Sequence, residues 1–254
     1  MLIIPSIDLR LGEVVRLYQG DFSQVTIYET SPIDVAIGYE IAGARLIHVV
    51  DLDGASFGFP KHFSHISDII DAVTVPVQMG GGLRSKDSIK QAFDIGVSRV
   101  ILGTAAYEMP ELVEWVIANH GPESVVVSLD VHNGFVALKG WQDTSQVRVQ
   151  DLLEKMNILG ISQFIFTDIA TDGTLEAPNF LSVKQLVSHT ADLNSSFISS
   201  GGVATIDHLK RLQQLGCYGA IVGKSLYEGR IDLKQAILEV DLDSANDKGT
   251  VTNA

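Results

Sequence analysis

One cysteine, Cys217, occurs in 254 residues. That excludes an internal disulfide or a zinc site built from several thiolates, fits a reducing compartment, and leaves Cys217 to be read as a small buried hydrophobe. Positive charge is also scarce, with 18 Lys and Arg against 31 Asp and Glu and a formal charge of -13. No global basic field is available to attract nucleic acid or an anionic membrane, so neither is an expected partner, and any anionic ligand must be held by local groups. Long apolar runs are missing too: none approaches the ~18 residues of a membrane span, and the opening MLIIPSIDLR reaches Asp8 with no basic leader before it. The expected location is cytoplasmic.

With 46% hydrophobic and 19% charged residues, the chain has the make-up and length of one large α/β domain. No linker rich in Pro, Gly or Ser divides it, so residues 1–240 are read as one domain. The last stretch, DLDSANDKGTVTNA (241–254), is polar and patternless and is read as a disordered tail.

β-Branched runs alternate with helix-length amphipathic segments. Eight strands are predicted: LIIPSID (2–8), RLIHVVD (45–51), VTVPVQM (73–79), RVILG (99–103), SVVVSLD (124–130), QFIFTD (163–168), SSFISS (195–200) and GAIVG (219–223). Helix candidates between them, such as SKDSIKQAFDIG and TIDHLKRLQQLG, open on Pro, Ser or Thr or close on Gly. Strand-helix alternation implies right-handed crossovers and a parallel sheet.

An internal repeat narrows the fold. Residues 77–108 lie over 197–228 without a gap: Gly81 on Gly201, Gly82 on Gly202, Gly96 on Gly216, Gly103 on Gly223, all 120 residues apart. IPSIDL (4–9) likewise matches VVSLDV (126–131), setting Asp8 on Asp130 at an offset of 122. Two half-copies of four strand-helix units predict a closed (β/α)8 TIM barrel, with an open doubly wound sheet as the alternative.

Three consecutive glycines, Gly80 to Gly82, follow the third strand. A Gly pair past a strand end lets backbone amides approach a ligand, and the next helix N-terminus offers free N–H groups to an anion. A single Gly-Gly needs no more than a tight turn. Two copies, Gly81-Gly82 and Gly201-Gly202, each followed at the same spacing by Gly103-Thr104 or Gly223-Lys224, favour two phosphate sites across one barrel mouth.

Asp8 and Asp130 end strands one and five, opposite each other in such a barrel, and each strand reads Ser-x-Asp, which puts Ser and Asp on one face. Two carboxylates in one cleft suit general acid-base work, although helix capping is the commoner use of an Asp after a strand. Weaker signals are His48 on strand two, Arg16 in a loop after strand one, Trp141 in a loop after strand five with a face for stacking a flat ring, and Thr167 with the turn TDGT around Asp172 after strand six. None of these carries a function by itself.

Taken in order, PSIDL with VVRLYQG, IHVVDLDGA, GGGLRS, GTAA, SLDV with KGWQ, TDIATDGT, SSGG and IVGKSLYEG across residues 1 to 240 resemble the ProFAR isomerase family of histidine biosynthesis. The resemblance implies an Amadori rearrangement of an aminoaldose carrying a phosphate at each end, with no metal or organic cofactor. Asp130 would be the general acid that opens the ribose ring and Asp8 the base that removes the C2′ proton, while Thr167 and Asp172 orient the sugar. Trp141 would stack on the imidazole carboxamide, and Arg16, Gly20 and His48 would help hold substrate beside the two glycine cradles. An acid role predicts a raised pKa for Asp130. No obligate protein partner is implied, and a monomer is expected. After strand five the run is Asp130-Val131-His132-Asn133, where many members place arginine, which argues against a second activity on phosphoribosylanthranilate. The sister cyclase family shows Cys-x-Asp on strand one and a lysine soon after, against Ser6-Ile7-Asp8 and Arg16 here. That cyclase and a non-catalytic bisphosphate binder are the alternatives.

Overall fold

Alternation at period two sets the inside of the sheet. The computed structural model describes residues 1–190 and 193–240; the expected tail, 241–254, lies outside the described residues. The first half runs β1 (Leu2–Arg10), β2 (Glu13–Tyr18), β3 (Asp21–Tyr28), α1 (Pro32–Ile41), β4 (Ile47–Asp51), α2 (Leu52–Phe57), α3 (Phe63–Ala72), β5 (Val77–Gly80), α4 (Lys86–Asp94), β6 (Arg99–Leu102), α5 (Thr104–Glu108) and α6 (Pro110–His120). The second runs β7 (Val125–His132), β8 (Phe135–Leu138), β9 (Asp143–Arg148), α7 (Val149–Ile158), β10 (Gln163–Asp168), α8 (Phe180–Thr190), β11 (Ser196–Ser200), α9 (Ile206–Gln214), β12 (Gly219–Val222), α10 (Lys224–Tyr227) and α11 (Leu233–Val240).

Eight strands pair in parallel in the order β1-β4-β5-β6-β7-β10-β11-β12, and β12 returns to β1. The closed (β/α)8 barrel stands and the open sheet is excluded. Ile4, Leu46, Ile101, Val126, Ile165, Ile198 and Ile221 fill its lower interior as a separate apolar cluster. Two residues further along their strands, Ile4 gives way to Ser6, Val126 to Ser128 and Ile165 to Thr167; another two bring Asp8 and Asp130. The interior therefore grades from an apolar plug through hydroxyls to carboxylates at the C-terminal mouth. The larger core lies between sheet and helices, where Ile3, Ile7, Val127 and Leu129 point outward.

The region after strand one differs from expectation. Arg16 lies not in a loop but on β2, which pairs antiparallel with β1. A matching hairpin follows β7, with β8 antiparallel to it and β9 antiparallel to β8. Leu11-Gly12 and Asn133-Gly134, all at positive φ, form the two tight turns. They repeat the 122-residue offset of the aspartates, so each hairpin belongs to the half-repeat. The expected strand at 73–79 starts only at Val77, because α3 continues to Ala72 and Val73 caps it. Pro76, without an N–H, precedes the ladder.

Packing explains the glycine pairs. Gly81 has φ +105, and a Cβ there would overlap the Asp51 carbonyl; at Gly202 (φ +76) it would overlap backbone at Ala177 and Pro178. Gly43 has φ +97 with nothing within 4 Å. Gly43→Ala is therefore expected to lose about 1–2 kcal/mol, the left-handed backbone cost alone. Gly81→Ala should lose at least about 1 kcal/mol more through overpacking. Urea midpoints at constant slope measure both, and equal losses would show that the Asp51 carbonyl moves aside freely.

Candidate active site

Every residue expected at the site from the sequence lines one cavity at the barrel mouth, including both aspartates and both glycine cradles. Among the described residues, no three His, Cys, Asp or Glu side chains converge to hold a metal ion.

Asp8 is fixed by Arg16. The β2 strand turns the Arg16 guanidinium into the barrel, where Nη1 pairs with Asp8 Oδ2 and Nη2 donates to Ser6 O and Ser6 Oγ, each at 2.6 Å. Tyr227 and Tyr39 hydroxyls donate to the same Ser6 carbonyl at 3.1 and 3.3 Å, and the guanidinium carbon sits 5.3 Å from the Tyr227 ring centroid. A Cβ on Gly223 would collide with this guanidinium, so that glycine admits Arg16 whatever else it does. Burial pushes the Asp8 carboxyl above its usual range while the Arg16 charge opposes the shift. The pairing in turn raises Arg16 and keeps it charged, against the opposing effect of its own burial.

Among the described residues, no cation pairs with Asp130 in this way. Ser128 Oγ donates to Asp130 Oδ1 at 2.7 Å, and the position matching Arg16 at the 122-residue offset is the buried Leu138. Asp172 completes the carboxylate group. Removal from solvent, then the charges of Asp8 and Asp130, push it up to about 7, opposed by Arg16 and Lys224. Thr167 is buried and registers beside Asp130 on the neighbouring strand.

The free helix N-termini are not those expected. Ser85 caps α4 through a capping box, and the Thr205 side chain accepts from His208 N at the start of α9, so at each of these ends one N–H is already bonded within its own helix. The one-turn helices α5 and α10 begin at Gly103 and Gly223, which offer no side-chain cap. Gly103, Thr104, Gly223 and Lys224 at these starts line the cavity together with the glycine pairs. Thr104 Oγ1 accepts from Lys139 N at 2.8 Å, and Lys224 Nζ donates to Gly173 O at 2.9 Å. Arg84, not anticipated as a site residue, also lines the cavity and donates to Ala55 O at 3.1 Å. Its place inside GGGLRS, two residues after a glycine pair, was the available signal. The two cradles thus carry one cation each, from positions the repeat does not match.

The hairpin tips meet over the mouth. A Cβ on Gly20, at the β2–β3 turn, would overlap the Trp141 ring at the β8–β9 tip. Gln19 N donates to Asp172 O at 3.0 Å and Gln19 Nε2 to Ala170 O at 2.6 Å. His48 is buried, and its Nδ1 lies 2.9 Å from Gln78 Nε2.

Asp172 gives a signed expectation for stability. Its folded carboxyl holds a proton up to about pH 7 against an ordinary value of 3.8. Between those values folding takes up a proton, so its contribution to stability falls as pH rises and levels off above about 7. Asp172→Asn should therefore gain stability relative to wild type as pH rises through that window. Parallel pH–stability curves for the two chains would contradict the assignment.

Comparison with known proteins agrees with this geometry. The family described as Histidine biosynthesis protein matches residues 2–232. A protein of Herpetosiphon aurantiacus is 48% identical over 241 residues, covering 95% of this chain and 99% of its own. Relatives from Dehalococcoides mccartyi (45%, 94% of this chain and 100% of its own) and Synechocystis (45%, 94% and 93%) are similarly close. All three are named 1-(5-phosphoribosyl)-5-((5-phosphoribosylamino)methylideneamino) imidazole-4-carboxamide isomerase. The chain belongs to the histidine biosynthesis protein family.

Proposed function

We propose that this chain is the isomerase of its named relatives, converting the N-linked aminoaldose 5-phosphate ProFAR to its aminoketose in the histidine pathway of the cytoplasm. One observation carries the reading: Asp8 and Asp130 end matched barrel strands on either side of a cavity flanked by two uncapped helix N-termini. A substrate with a phosphate at each end would have one cradle for each phosphate and its reacting ribose between the carboxylates.

The reaction needs a proton on the ribose ring oxygen as the C1′–O bond breaks to the Schiff base. It then needs loss of the C2′ proton to an enolamine, and protonation at C1′ with ketone formation at C2′. No net electrons or atoms are exchanged. Asp130 supplies the first proton. Asp8 removes the second, its carboxyl made more basic by burial while the Arg16 charge opposes that rise. Asp172, still protonated near neutral pH, donates a hydrogen bond to the sugar beside Thr167. Trp141 covers the imidazole ring from the hairpin tip, and the tips exclude water from the Schiff base. Gly81, Gly82, Gly103 and Thr104 hold one phosphate and Gly201, Gly202, Gly223 and Lys224 the other. No obligate protein partner is required, and the chain acts as a monomer.

Asp8→Asn should lower turnover of the aminoaldose by a factor of roughly 10³ or more, as expected when an acid-base group is removed. Wild-type activity retained in the variant would remove Asp8 as the base. Formation of imidazole glycerol phosphate from the aminoketose and ammonia would instead support the cyclase. Lys224→Met should raise KM roughly tenfold or more with a smaller change in kcat, because the phosphate is remote from the reacting carbons. Gly202 is a poorer probe, since any side chain there strains the backbone.

A further inference from the structure

Beneath the carboxylates, a polar chain crosses the barrel interior from β10 to β4. Arg99 Nη1 donates to Gln163 Oε1, Arg99 Nε donates to Gln78 Oε1 at 2.6 Å, and Gln78 Nε2 lies 2.9 Å from His48 Nδ1. Gln78 is completely buried and Arg99 partly so, with its Nη2 out of contact with solvent. Among the described residues no carboxylate pairs with Arg99, and its Nη2 has no partner. A buried, uncompensated cation is expensive, and an apolar residue would fill this floor more cheaply. What Arg99 provides is direction.

Guanidinium can only donate. Gln78 must therefore present its oxygen to Arg99 and its amide N–H2 to His48, so that His48 Nδ1 must accept. The ring then carries its single proton on Nε2. Burial, followed by the charges of Arg16 and Arg99, lowers His48 to about 3, which keeps it neutral. The ring lines the reaction cavity, with His48 in register with Ser6, one inward-facing step below Asp8.

We propose that Gln78 and Arg99 are positioning residues that lock His48 in the neutral Nε2–H form, so that it presents an uncharged N–H donor to an oxygen of the reacting sugar. The inference rests on the isomerase reading for its ligand, but not for its tautomer. An uncharged donor has a specific advantage here. An imidazolium beside Asp8 would stabilise the carboxylate and weaken it as a base, whereas a neutral N–H orients the sugar without that loss. It also holds one state while the surrounding carboxyls titrate.

The test is a long-range proton–nitrogen NMR spectrum of the full-length 15N-labelled chain, with His48 assigned by the signal lost in His48→Gln. The expected result is a proton on Nε2, unchanged from about pH 5.5 to 8.5, the range in which an ordinary histidine titrates. A proton on Nδ1, or titration in that range, overturns the proposal without any assay of turnover. Gln78→Glu supplies the second arm: a carboxylate accepts from both Arg99 and the ring, so the proton should move to Nδ1 and kcat/KM should fall roughly tenfold to a hundredfold. A moved proton with unchanged kcat/KM would show that the tautomer does not serve the reaction. If the wild-type tautomer is as expected but the chain fails to turn over the aminoaldose, the functional reading fails and the locked histidine stands.

Discussion

A carboxylate withdrawn from water either finds a counter-charge within hydrogen-bond reach or takes up a proton, and much of this mouth is arranged around the first course for Asp8. Arg16 meets it, and several elements bring it there. A hairpin absent from a minimal strand-helix unit supplies the arginine; α1 and α10 supply the tyrosines that share Ser6 with it; and the end of β12 omits a side chain to leave it room. The burial that raises Asp8 and the charge that opposes the rise are produced by the same few contacts. Burial outweighs the pairing, so the Asp8 carboxyl lies above its usual range.

The half-repeat is faithful in backbone and broken in chemistry. Strand ends, hairpin turns, glycine pairs and one-turn helices recur, so two glycine cradles and two aspartates line one mouth. The residue at the Arg16 position in the second half is Leu138. Asp130 therefore keeps only a serine hydroxyl for company, while Asp172 adds a third carboxyl between the halves. On paper the repeat makes Asp8 and Asp130 equivalent; the side chains on the hairpins separate them. One change in the copied hairpin, leucine where the first half has arginine, gives the two carboxylates different surroundings, which is what an acid and a base in one site would require.

Much of this could be read directly. Period-two runs located all eight barrel strands, and the constant offsets distinguished a closed barrel from an open sheet. Asp8, Asp130 and the glycine pairs could be picked out because each sits at a strand end and recurs at a constant offset, whereas Trp141 was a weak signal that only the family resemblance gave a place. The hairpins did not emerge, although Asn133-Gly134 is a strong tight-turn signal and VVRLY alternates as a strand should. Treating those stretches as loops put Arg16 on the wrong kind of element and concealed Leu138 as its counterpart. Which helix ends were free was illegible for a different reason: Ser85 and Thr205 read equally well as caps or as ligand contacts until their side chains are seen bonded to their own helices. Gln78 and Arg99 could not be singled out, because the register that sets His48, Gln78 and Arg99 side by side on neighbouring strands is not visible before the strands are paired.

The central claim is that the matched aspartates divide the labour, with Asp8 taking the carbon-bound proton. The most direct measurement follows release of deuterium to solvent from substrate labelled at C2′, using wild type and Asp8→Asn. The account predicts release with a primary isotope effect in wild type and none in the variant. Undiminished release from Asp8→Asn would place the base elsewhere and contradict it.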